Sequence, residues 1–129
     1  MNIDRDSLLL QIRPNADVQP IMDREIEIFQ KKTIIPVMQI QGKLLIFGFK
    51  TFLKKTSSDF TSLSSAHQRT YINDRLRSDA ALKNSLINYV VALFVTEELK
   101  FYTKNRLEIR KRIIDLSISM LEQHLQELV

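Results

Sequence analysis

The chain contains no cysteine. A disulfide framework, a thiolate nucleophile and any cysteine-based zinc or iron–sulfur site are therefore excluded. Glycine occurs only at Gly42 and Gly48, proline only at Pro14, Pro20 and Pro36, and neither follows Gly48. A sheet protein of this length needs more glycine, proline and asparagine–glycine turn chemistry than that. Two glycines also cannot build a dinucleotide fingerprint. Gly42–Lys43 runs into Leu44, without the upstream glycine or downstream hydroxyl of a nucleotide-binding loop. No serine stands in a glycine-flanked elbow.

Histidine is nearly as scarce. His67 and His124 stand far apart, and neither forms a helical ligand pair, so no metal or cofactor is expected. His67, Tyr71 and Asp74 do share one helical face, yet such rows arise often from helix geometry alone. No catalytic residue is assigned, and the composition leans away from an enzyme. Long apolar runs are missing too. Ile34 to Leu53 is interrupted by Gln39, Gln41, Lys43 and Lys50, short of the roughly 20 apolar residues of a spanning helix. Asp4, Arg5 and Asp6 precede Leu8–Leu10 where an export signal would carry only positive charge. A cytoplasmic protein without a membrane span is expected.

What is present reads as helix. At 44% hydrophobic and 26% charged residues the composition is globular, and 129 residues suffice for one core. The expected fold is an all-α bundle of five or six helices with a long C-terminal helix, in a single domain whose residues 1–17 form a loosely held arm. A short first helix covers about Ile3–Ile12 and stops at Arg13–Pro14. The second runs from Pro20 to about Lys32, closed by Lys31 and Lys32 at its negative dipole end. The third spans Thr33–Pro36 to Lys54–Lys55, with Gln39, Lys43, Lys50 and Lys54 in one wet stripe. Its rival is a hairpin turning at Gln41–Gly42, disfavoured because alternation fails through Leu44–Phe47.

Ser64 is the expected cap of a fourth helix and Ser78 of a fifth. The fifth is apolar over half its circumference, and Leu86 and Leu93 are expected in the core with Ile113 and Leu121. Thr96, followed by Glu97 and Glu98, starts the last helix, which spans up to about 48 Å if unbroken, with a candidate break near Thr103–Asn105.

That last helix carries two apolar faces. One comprises Leu107, Ile114, Ile118, Leu121, Leu125 and Leu128; the other, nearly opposite, comprises Tyr102, Ile109, Ile113, Leu116 and Met120. An ordinary surface helix has a single stripe. Either the helix is sandwiched within its own domain, or one face meets another chain. The second option makes the protein a non-enzymatic helical interaction or adaptor protein, a homodimer with Ile118, Leu121, Leu125 and Leu128 at its interface.

Charge offers an alternative. Residues 31–129 hold sixteen basic and nine acidic side chains, whereas residues 1–30 hold three and six. Lys100, Lys104, Arg106, Arg110, Lys111 and Arg112 cluster beside Phe101 and Tyr102, a composition suited to phosphates and bases. Nucleic acid is therefore the alternative partner, although these cations scatter around the wheel. A small ligand-binding bundle or enzyme, using an apolar pocket near the third helix, is the remaining option.

Overall fold

The computed structural model of the chain describes residues 3–16 and 24–129. Among these residues it is an all-α bundle with six helical rods and no strand. Helix α1 (Arg5–Ile12) starts at Asp4, whose carboxylate accepts hydrogen bonds from the Ser7 amide at 3.3 Å and the Ser7 hydroxyl at 2.6 Å. These bonds hold the Asp4 carboxyl below its ordinary pKa. The helix stops at Arg13, which the following proline disfavours from helical geometry.

The second and third segments merge into one rod. Helix α2 (Glu25–Phe29) passes through a π-helical turn (Gln30–Ile34) straight into α3 (Ile35–Lys55). The expected start at Pro20 lies outside the described residues, and the expected stop at Lys31–Lys32 does not occur. Pro36 explains the join. Its ring lacks an N–H and crowds the carbonyl four residues back, and the wider turn relieves this. The Ile35 amide accordingly reaches the Gln30 carbonyl, five residues back. Ile34 and Val37 on either side of the kink are fully buried, so packing holds the rod together. No hairpin forms at Gln41–Gly42.

A 3-10 turn (Phe60–Ser62) leads to α4 (Ser65–Ser78), capped by Ser64 through the His67 amide at 3.2 Å. Helix α5 (Ala80–Val91) is capped by Asp79, not Ser78, because the Asp79 carboxylate takes the Leu82 amide at 3.0 Å. Thr96 is likewise the first helical residue of α6 (Thr96–Lys104) rather than its cap. Its amide donates to Asp6 of α1 at 3.1 Å, and the Val95 amide donates to Glu98 at 2.9 Å. The expected long helix breaks at Asn105, whose amide side chain donates to the Phe101 carbonyl. Helix α7 (Arg106–Gln123) follows, and a 3-10 turn (Leu125–Leu128) returns Leu128 to the core.

Helix α3 packs on α5, and α7 lies against α4 and α5. Phe49, Phe60, Phe94, Leu45, Leu86, Ile113 and Leu121 are among the fully buried side chains, whereas Leu93 is half-buried in the turn after α5. The α3–α5 contact is close at Gly48. A Cβ there would lie 2.9 Å from the Tyr89 ring and 3.3 Å from Leu86. Gln41 adds a polar tie, donating to the Tyr89 carbonyl at 2.7 Å.

Helix α1 buries no residue and is held by polar clamps instead. Arg5 donates to the carbonyls of Ala92 and Phe94, and Arg13 donates to that of Leu93 at 2.9 Å. Arg13 also pairs with Glu98, which accepts from the Thr33 hydroxyl at 2.7 Å. One carboxylate thereby ties α1, the π turn and the head of α6. Among the described residues no helix is long and apolar enough to cross a membrane.

The two glycines give opposite expectations. Gly42 sits in a helix with only Met120 near, at 3.9 Å, so Gly42→Ala should stabilise the chain by roughly 0.5–1 kcal/mol. Gly48→Leu should destabilise it by roughly 1–3 kcal/mol through overpacking. Thermal melts of both variants check this; equal shifts would contradict the α3–α5 contact.

Candidate interaction surfaces

Helix α7 resolves its two apolar faces unequally. Ile118, Leu121 and Leu128 are buried and Leu125 is half-buried, all in the core shared with α3, α4 and α5. The expected dimer seam is therefore largely internal: Ile118, Leu121 and Leu128 are sealed in the core, and Leu125 packs against it. Only Leu107, at the start of that stripe, is exposed. The opposite stripe begins in the core as well, since Ile109 and Ile113 are fully buried. Toward its end Leu116 and Met120 are half-buried.

Those two residues form one wall of a groove of about 510 Å³ between α3 and the end of α7. Ile35, Met38 and Ile46 form the other wall, and Lys43, His124 and Glu127 stand on the rim. His124 is oriented by its Nδ1, which donates to the Met120 carbonyl at 2.7 Å. Thioether side chains suit a surface that adapts to its occupant. The groove was foreseeable only as an apolar pocket near the third helix.

Helix α1 is the second apolar feature. Ile3, Leu8, Leu10 and Ile12 are all exposed, with Leu8 and Ile12 one turn apart on the same side.

The basic cluster comes apart in three dimensions. Lys100 pairs with Glu97 at 2.9 Å, which raises its pKa. Arg112 is engaged by Glu108 at 2.9 Å and by Gln30 at 2.9 Å. Lys104 and Arg106 are exposed. Arg110 and Lys111 instead meet Arg77 and Lys83 around a cleft of about 370 Å³, whose apolar part is Leu107 and Ile114. Asn84 accepts from Arg110 at 2.5 Å, and Asp115 pairs with Arg77 at 3.0 Å. Sequence reading missed Arg77 and Lys83 because they belong to other helices, and spacing within one helix carries no signal for them.

His67 is exposed, and Tyr71 packs on Phe60 with Arg75 over its ring at 5.9 Å. No hydrogen bond joins His67, Tyr71 and Asp74 among the described residues. Groups of carboxylates and histidines suited to a metal ion are likewise absent among those residues. Comparison with protein-family models, with curated proteins and with solved structures finds no match.

Leu121→Asp/Leu125→Asp should abolish the cooperative thermal transition, because Leu121 is fully buried and an unpaired carboxylate there is costly. Circular dichroism with sedimentation checks the outcome. A variant that stays helical and merely changes mass would return these residues to an interface.

Proposed function

We propose that the chain is a non-enzymatic helical interaction protein that self-associates, with α1 of each copy lying in the α3–α7 groove of the other. The observation that carries this reading is a pair of complementary features on one chain. Helix α1 exposes Leu8 and Ile12 and buries nothing, while the groove presents the half-buried Ile35, Ile46, Leu116 and Met120 beneath a polar rim. An apolar helix seated in an apolar groove is a recurrent mode of recognition, read through anchors one turn apart. Reciprocal exchange makes the contact self-complementary, as a two-fold dimer requires.

The clamps through Arg5 and Arg13 give α1 a fixed direction from the body, so its apolar side is presented rather than trailing. Preorganisation of this kind lowers the ordering cost of association. A partner protein offering a helix with two such aliphatic anchors would compete for the same groove.

Sedimentation equilibrium is the test. The parent should run as a dimer at micromolar concentration, and Leu8→Asp/Ile12→Asp should run as a monomer with its helical content intact. Met120→Glu, within the groove, should dissociate it too. A parent that remains monomeric at high micromolar concentration, or a Leu8→Asp/Ile12→Asp variant that still dimerises, rejects the reading.

A further inference from the structure

Helix α3 contains no acidic residue, yet Lys43, Lys50, Lys54 and Lys55 all lie on it. On the helical wheel most of these lysines share one side with Phe47, a ring left 63% exposed. Phe47 also borders a second groove of about 320 Å³, together with Thr51 and Lys55 of α3 and Ser85 and Tyr89 of α5. This groove lies on the opposite side of α3 from the one assigned to self-association.

Helix α5 separates that groove from the cleft of Arg77, Lys83, Arg110 and Lys111. Its outward residues are Ala81, Asn84, Ser85 and Asn88, which are short and uncharged. The ridge between the two clefts is therefore low and electrically neutral. Lys50, Lys54, Lys55, Lys83 and Lys111 form no ion pair among the described residues. The nearby acids are already committed: Asp115 to Arg77, Glu108 to Arg112, and Asp79 to the cap of α5. Cations thus stand on both sides of a low ridge, with an unused aromatic ring on one of them.

We infer that this face binds single-stranded nucleic acid, its phosphates on the lysines of α3 and on the cations of the Arg77–Lys111 cleft, and an unpaired base stacked on Phe47. Cations on either side of α5 suit a polyanion crossing it, since the helix with its side chains is about 10 Å across. An exposed ring discriminates further. Every base has a face to stack on such a ring, but a duplex hides those faces. No helix on this side is placed to enter a major groove, since α5 is flanked by α3 and α7. An anionic membrane is disfavoured because the large exposed apolar side chains nearby, Phe47, Leu44 and Leu107, do not form one plane-facing helix stripe. Strand binding is separable from self-association, because Phe47, Lys83 and Lys111 do not line the α3–α7 groove.

Fluorescence anisotropy with labelled oligothymidine, a mixed-sequence RNA single strand and a duplex of equal length tests it. The parent should prefer the single strands, with affinity falling steeply as salt rises. Lys83→Gln/Lys111→Gln should lower the slope of log affinity against log salt by about 1.4, at about 0.7 for each phosphate no longer neutralised. Phe47→Ala should weaken binding by roughly ten-fold while leaving that slope unchanged, and Phe47→Trp should restore the affinity. Circular dichroism confirms that each variant remains folded. Absence of binding at low salt, equal or tighter binding to duplex, or an unaltered affinity in Phe47→Ala overturns the inference. So does binding confined to phosphatidylserine vesicles.

Discussion

The constraint on which the rest of the structure depends is that α7 must bury two opposite faces at once. Ile109 and Ile113 lie on one, Ile114, Ile118 and Leu121 on the other, and all five are buried. Each buried aliphatic side chain of this size contributes about 1.5–3 kcal/mol relative to exposure, so leaving either face in water would be strongly destabilising. The chain meets this demand by wrapping. Helices α4 and α5 pack against α7, the π turn reaches it from the N-terminal side, and the closing 3-10 turn folds back with Leu128. The close α3–α5 contact at Gly48 then brings the longest rod onto this assembly, and Phe29, Phe94 and Tyr102 fill the end near α6 with edge-on ring contacts.

Helix α1 is attached on different physical terms. Its hold is directional, through guanidinium groups on the carbonyls that follow α5, where a helix end leaves acceptors unsatisfied. The Arg13–Glu98 pair is largely shielded, with side chains 7% and 15% exposed. A shielded pair fixes geometry more surely than it adds stability, because desolvation offsets much of its attraction. The consequence is an apolar helix whose place is set without consuming its apolar surface. That combination is the basis of the docking role proposed for α1.

The surfaces divide along the same lines. One side of α3 is apolar and methionine-lined; its outward side is basic with a lone ring, and α5 links that ring to the cations of α4 and α7. A single rod running from Glu25 to Lys55 thus gives the molecule two chemically distinct faces. Its length follows from the π turn ahead of Pro36, which preserves the rod where an ordinary helical ladder would stop.

Fold class was legible from sequence because its causes are local. Helical periodicity, the absence of turn residues after Gly48 and the Ser64 cap each act within a few positions, and the structure follows them. The candidate break near Asn105 was legible for the same reason. The joining of two helices across Pro36 was not, since it depends on the burial of Ile34 and Val37 by residues far along the chain. Nor was the fate of Ile118, Leu121, Leu125 and Leu128. A helical wheel displays two equivalent apolar faces, and only the packing of α4, α5 and the terminal 3-10 turn decides which is sealed and where the other opens into a groove. Charge behaved likewise. Sequence located an excess of cations after residue 30, but their sorting into spent pairs and open clefts required Arg77 and Lys83 to arrive from other helices. Periodicity determines what a segment is; the tertiary contacts, being non-local, decide what its surfaces are left to do.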